Sequence, residues 1–217
     1  MIIAIDGPSG AGKGTVARGV AARLGYTHID TGAMYRAVAW KALRDGVDLN
    51  DEQAVWRLAR TSRIAVRNGT VQIDGTDIAA AIRTPEIDAA AAAVARQHRV
   101  RDVLVAEQRN LAGTGDIVME GRDIGTVVLP NADVKVYLDA APEERARRRA
   151  QDPAHSAGRT GAALQDVGTA IQTRDLSDMT RAASPLMQAA DAVRIDTTGL
   201  PVDDVIAKVL ALVDEKR

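Results

Sequence analysis

The chain opens Met1-Ile2-Ile3-Ala4-Ile5-Asp6-Gly7-Pro8-Ser9-Gly10-Ala11-Gly12-Lys13-Gly14-Thr15, and the reading of this stretch decides the fold class. Met1 to Ile5 is an apolar run of strand length, closed by the breaker-rich residues Asp6 to Gly12. A helix should follow, because Val16, Ala17, Val20, Ala21 and Leu24 share a helical face and Gly25 ends it. Gly7 to Lys13 fits G-x-x-x-x-G-K, a phosphate-binding loop. Its glycines let successive backbone N–H groups turn inward around phosphate oxygens. The helix start adds its own N–H groups and the positive end of its dipole. Lys13 carries a positive charge to the terminal phosphates. The pattern usually has Ser or Thr after the Lys; Gly14 stands there, so Thr15 is the hydroxyl nearest a Mg²⁺ ion, acting directly or through water. The competing reading is a glycine turn with no ligand. The strand before it and the amphipathic helix after it favour phosphate.

Outward from this unit, Thr27 to Asp30 reads as a short strand and Tyr35 to Arg44 as a helix stopped by Gly46. Strand, helix, strand, helix implies a parallel sheet flanked by helices, an α/β fold of the P-loop type. The middle differs. Ile64 to Arg67 and Val71 to Asp74 flank Asn68-Gly69-Thr70, a hairpin signal. We therefore expect a β-hairpin-containing insert over about 60–99 in a core of 1–59 and 100–217. Ala89 to Ala93 and Val100 to Leu111 read as helix, Asp116 to Glu120 and Val134 to Leu138 as strands, and Pro142-Glu143-Glu144 as a helix start. Residues 152–161 are polar and glycine-containing, so a lid is expected over about 148–165. Ala163 to Arg174 and onward reads as helix, Ala192 to Asp196 as the last strand and Val202 to Val213 as the closing helix.

Composition narrows the function. The 217 residues are 46% hydrophobic and 26% charged, which suits one soluble globular domain. With 28 basic and 29 acidic residues, neither nucleic acid nor an anionic membrane is an expected partner. There is no Cys, which excludes disulfides, thiolate metal sites and cysteine nucleophiles. His28, His98 and His155 have no metal-ligand spacing, and His98 reads as exposed. Aromatics are 2%, too few for a base-stacking platform. No apolar run approaches the roughly 18 residues of a membrane span, and a strand at the very start leaves no signal peptide, so a cytoplasmic protein is expected. No Asn-Lys-x-Asp guanine-reading motif is present. A small kinase acting on a small acceptor remains.

Four stretches together resemble the bacterial cytidylate kinases. They are Asp6 to Thr15, Asp30-Thr31-Gly32-Ala33-Met34-Tyr35-Arg36, Glu120-Gly121-Arg122-Asp123-Ile124-Gly125-Thr126-Val127-Val128, and Arg174-Asp175 with Asp178 and Arg181. They run in the family's order over essentially the whole chain. The second and third are specific to the cytidylate branch, while Gly-Lys-Gly-Thr is shared by several nucleoside monophosphate kinases. The resemblance implies a parallel-sheet core, an enlarged acceptor region and a lid.

Each group also has a bland reading. Asp30 or Thr31 can cap a helix beside a solvated Arg36; the resemblance instead puts Arg36 at the acceptor phosphate, with Asp30, Thr31 and Tyr35 around the acceptor. Arg122 and Asp123 can be a surface ion pair, yet they follow a buried-type strand, where α/β sheets place ligands. Glu120 can be a buried strand-end acid or an acid that orients Mg²⁺ through water. Arg145, Arg147, Arg148 and Arg149 can be a solvated helix face. By resemblance Arg148, then Arg149, contacts ATP and the transferred phosphoryl group. Arg174, Asp178 and Arg181 fall at i, i+4, i+7, either a salt-bridge ladder or, by resemblance, contacts to the acceptor sugar and phosphates. By resemblance Arg101 stands at the position of the family's base-reading arginine. Ala92 departs from the Ser the family often has for cytosine.

The resemblance therefore implies ATP-dependent phosphorylation of CMP, and of dCMP, to the diphosphate, in pyrimidine metabolism. Lys13, Arg148 and Arg181 would be catalytic, and Gly7 to Thr15 with Arg148 and Arg149 would bind ATP. A monomer with ATP and Mg²⁺ as cofactors is expected. UMP or a non-nucleotide acceptor, a nucleotide-binding regulatory module and an interaction protein with a vestigial loop stay open as alternatives.

Overall fold

The structure, a computed structural model, describes residues 1–113, 115–152 and 163–217. The first strand β1 (Ile2–Asp6) runs through the phosphate loop into α1 (Lys13–Leu24). There follow β2 (Thr27–Asp30), α2 (Thr31–Arg44), α3 (Glu52–Thr61), β3 (Ile64–Arg67), β4 (Thr70–Ile73), β5 (Thr76–Asp77), α4 (Pro85–Val94) and α5 (His98–Ala112). Next come β6 (Ile117–Glu120), a π-helical turn (Ile124–Val128), β7 (Val134–Asp139) and α6 (Pro142–Gln151). Last are α7 (Leu164–Thr180), β8 (Val193–Asp196) and α8 (Val202–Asp214).

Five strands form a parallel sheet in the order β2-β6-β1-β7-β8. Central Ile5 pairs with Glu120 on one side and Val136 on the other. Both faces are covered, so β1 and β6 are apolar on each, as parallel strands must be. Val16 and Val20 of α1 meet Val205 and Val209 of α8 against one face. On the other, Ala4, Ile29 and Met119 pack with Val105 of α5 and Ile124. A separate antiparallel sheet, β3-β4-β5, packs with α2 and α4 through Ile64, Val66, Val71 and Ile73. Its first turn has Asn68 and Gly69 at φ 49° and 87°, the positive values a tight hairpin needs. Asp74 and Gly75 repeat the device at 50° and 80°.

Local chemistry moves several boundaries from those expected. Helix α2 starts at Thr31 rather than Tyr35, because the Asp30 carboxylate accepts from the Ala33 N–H at 3.0 Å. Helix α3 was not expected; Asp51 caps it by accepting from Ala54 N–H at 3.0 Å, and Val55 and Leu58 bury its inner face. Helix α7 ends at Thr180. Arg181, expected on the same helical face as Arg174 and Asp178, lies just beyond it at φ −61° and ψ 139°. Residues 148–151 belong to α6, while 153–162 of the expected lid lie outside the described residues. No described helix is long and apolar enough to cross a membrane.

Candidate active site

Each of the five parallel strands ends on a carboxylate: Asp6, Asp30, Glu120, Asp139 and Asp196. Arginines from the surrounding helices and loops converge on this edge, where α/β sheets bind ligands. A cavity of about 580 Å³ opens there. It is lined by Ser9 to Thr15 and by Asp30, Thr31, Tyr35, Arg36, Arg101, Glu120, Arg122 and Asp123. Arg148, Arg149, Arg174, Asp178 and Arg181 line it too, as does Ala92. One space thus gathers the expected site residues, except that Gly7 and Pro8 belong to the loop without lining it.

The loop keeps its shape through glycine. A Cβ at Gly7, where φ is 147°, would sit 2.0 Å from the Leu138 carbonyl oxygen. Gly12 precedes α1 in the left-handed region, and no side chain caps the helix there. The leading N–H groups of α1 are therefore left for an anion. Lys13 is buried at 6% exposure, and its Nζ donates to the Pro8 carbonyl oxygen at 2.7 Å. Burial, with Arg122 adding to it, pushes the ammonium down to about 7, while Glu120 and Asp175 act in the other direction. Glu120 overhangs the start of α1: its carboxylate oxygens lie 3.0 and 3.4 Å from where a Gly14 Cβ would be. Glu120 Oε1 is also 3.0 Å from His28 Nε2, and Thr15, the residue after Gly14, is exposed.

The far half of the cavity is built on ion pairs. Asp30 accepts from Arg36 Nη2 at 2.8 Å and lies 3.8 Å from Arg83 Nη2. Burial opposes its charge, but Arg36 and Arg83 outweigh it and hold the carboxyl at about 2. Thr31 donates its hydroxyl to the Glu120 carbonyl oxygen at 2.7 Å. Asp123 is gripped by Arg101 on one oxygen and by Arg181 Nη2 at 3.2 Å on the other. The Arg101 guanidinium also stacks over the Tyr35 ring, 5.5 Å from its centre. Arg122 Nε donates to Asp178 at 2.9 Å. Burial, with Arg122 next, pushes Arg174 down to about 10.

The crowded arginines of α6 separate. Arg148 binds Glu144 at 2.7 Å and Thr197 through Oγ1 at 2.8 Å and the carbonyl oxygen at 2.6 Å. Arg149 turns the other way, to Asp88 on α4 at 2.9 Å. Arg147 is exposed beside Glu144, and Arg145 is buried. Sequence reading missed His28, Arg83 and Asp88. Arg83-Thr84-Pro85 announces a helix start and nothing more. His28 and Asp88 sit inside elements where a polar residue has many bland roles.

Fold and site together define a P-loop nucleotide-binding protein of small-kinase architecture. A solved shikimate kinase from Bacteroides thetaiotaomicron shares this fold, with a TM-score of 0.53 at 11% identity over 99% of this chain and 98% of that one. Sequence relatives are far nearer. The cytidylate kinase of Pelotomaculum thermopropionicum is 50% identical, covering 99% of this chain and 96% of its own. That of Solibacter usitatus is 47% identical, covering 98% and 92%. The family profile for cytidylate kinase matches residues 3–215, and the chain belongs to that family.

Proposed function

We propose that the chain transfers the γ-phosphoryl group of ATP to CMP, and to dCMP, releasing ADP and the nucleoside diphosphate. The observation that carries this reading is one cavity that is lined both by the phosphate loop with Lys13 and by Asp123, and also by Arg36, Arg122 and Arg174. Phosphoryl transfer needs positioning and charge neutralisation more than covalent help from the protein. Lys13 and the N–H groups of α1 hold the donor phosphates. Arg36 and Arg83 hold the acceptor phosphate, whose oxygen is already nucleophilic, so no general base is required. Arg148, close to the loop, serves the donor and the group in transit, and Arg149, paired with Asp88 of α4, comes second to it in that role. Arg174 and Asp178 take the acceptor sugar, and Arg181 the acceptor phosphates as well as Asp123. Asp123, with Thr31 and Arg101, reads the cytosine edge.

Thr15 and Glu120 fit a hydrated Mg²⁺. One hydroxyl and one carboxylate both line the cavity, the carboxylate lying over Gly14 at the helix start, and Mg²⁺ takes its remaining oxygens from water and substrate phosphates. No cluster of three or more metal-ligating side chains occurs among the described residues, which suits an ion held in this way. When bound it would neutralise charge on the phosphate oxygens. The enzyme is read as a cytoplasmic monomer of pyrimidine nucleotide metabolism with a core, an acceptor insert and a lid over about 148–165. ADP release from ATP with CMP, dCMP, UMP, AMP and shikimate as acceptors tests the reading. Cytidine nucleotides should lead, and equal use of UMP would defeat it.

A further inference from the structure

Arg145 and Asp175 form a buried ion pair at the base of the phosphate loop, 8% and 7% exposed. Neither lines the cavity. Both grip the backbone of one loop residue, Ser9, one at its N–H and the other at its carbonyl oxygen. Asp175 accepts from the Ser9 N–H at 3.0 Å, and Arg145 Nη1 donates to the Ser9 carbonyl oxygen at 3.0 Å. Arg145 Nε donates further to the Ala140 carbonyl oxygen at 3.1 Å, fixing the guanidinium to the end of β7. Gly10 lies flat on the same residue: a Cβ there would sit 2.8 Å from the Arg145 carbonyl oxygen. Arg145 belongs to α6 and Asp175 to α7, so the pair ties both helices to the loop.

We infer that Arg145 and Asp175 are positioning residues for the donor phosphates. The loop's glycines make its backbone permissive, and N–H groups bind phosphate only when held in one arrangement. The pair supplies that restraint through charge-assisted hydrogen bonds to Ser9, on the side of the loop away from the ligand. A pair serving general stability alone would not discriminate between the two substrates. The restraint proposed here does: its loss weakens ATP and spares CMP.

This inference rests on the P-loop reading above, and the test keeps the two apart. Binding of a non-hydrolysable ATP analogue and of CMP is measured by calorimetry, beside KM for each substrate and thermal unfolding. Wild type and Lys13→Ala form the first arm. Failure of wild type to bind the analogue, or undiminished binding by Lys13→Ala, overturns the P-loop reading itself. The second arm is Asp175→Ala, Asp175→Asn and the double variant Arg145→Met with Asp175→Leu, which removes both charges so that neither buried ion is stranded. Asp175→Ala and the double variant should weaken the ATP analogue about tenfold or more, the scale of a hydrogen bond to a charged group, and leave CMP within about threefold. Asp175→Asn keeps an acceptor for the Ser9 N–H and should recover part of the loss. Should Asp175→Ala not fold, the double variant and Asp175→Asn decide. A folded double variant with wild-type ATP affinity, or equal losses for ATP and CMP, overturns the inference.

Discussion

Arg181, the residue just beyond the end of α7, donates from Nη2 to Asp123 Oδ1 across 3.2 Å, joining the C-terminal half of the chain to the loop after β6. The same guanidinium donates from Nε to the Ser184 carbonyl oxygen at 2.7 Å. Arg101 takes the other oxygen of Asp123. A carboxylate offers acceptors only, which is what a cytosine amino group requires and what the carbonyl of uracil opposes.

Asp123→Asn should therefore lose efficiency with CMP by about 10- to 150-fold, the range of a hydrogen bond to a charged group. The CMP:UMP ratio should narrow, with KM for ATP little changed. Arg101 and Arg181 lose their shared counter-charge, so the melting temperature should fall as well. The check is kcat/KM for both acceptors in both proteins. An unchanged ratio would remove Asp123 from base reading.

Lys13→Ala should keep the fold and lose at least about 100-fold in turnover, the scale of a lost electrostatic donor in phosphoryl transfer. Lys13 is buried and its burial disfavours its charge, so the variant should melt no earlier than wild type. Turnover and melting are measured on the same preparation. Near-normal turnover in a folded variant would end the proposed mechanism.

Much of this was legible because the informative signals are local. Gly7 to Lys13 specifies its own backbone shape, and Asn68-Gly69 specifies its own turn. Asp30 and Arg36 lie six residues apart and meet across the first turns of α2. What stayed hidden depends on partners far along the chain. His28 reaches Glu120, Arg149 reaches Asp88 and Arg145 reaches Ser9 only once the sheet and helices are assembled. Periodicity placed Arg181 on a helix with Asp178 because nothing in Met179-Thr180-Arg181 marks a stop; the tertiary bond to Asp123 and a local one to the Ser184 carbonyl oxygen hold it outside. Helix α3 escaped because Asp51 gives a modest capping signal in a polar stretch.

Asp6 gives a pH test. It is buried and accepts from the N–H groups of Ile124 at 2.8 Å and Gly125 at 2.7 Å. Burial, working against those two bonds, lifts its carboxyl from 3.8 to about 6. The folded protein thus holds this proton more tightly than the unfolded chain. The stability it contributes is full below 3.8 and is lost as pH rises through about 6. The whole swing is up to about 3 kcal/mol. Asp6→Asn does not titrate, so the melting temperature of wild type minus that of the variant should fall between about pH 4 and about pH 7. A flat difference would show that Asp6 titrates alike in both states.

Asp88 gives the last. Its carboxylate lies 2.9 Å from Arg149 Nη2 and 3.8 Å from Arg174 Nη1, inside a cluster that also holds Arg36 and Arg122. Burial already disfavours the charge on Arg149 and Arg174. Asp88 faces both of them and offsets their charge before phosphates arrive, with Asp152 also acting on Arg149 and Asp178 on Arg174. Without it the unliganded cavity carries more uncompensated positive charge, and phosphates relieve a larger repulsion on binding. Asp88→Ala should melt a few degrees below wild type when unliganded, from the loss of about 1.5–3 kcal/mol in a charged hydrogen bond. The rise in melting temperature on adding CMP with a non-hydrolysable ATP analogue should be larger than in wild type, because a ligand that binds the folded state alone stabilises it in proportion to its affinity. Thermal unfolding of both proteins, with and without the two ligands, measures this. An equal ligand-induced rise in the two would mean that Asp88 only tethers α4 to α6 and leaves the charge of the phosphate site untouched.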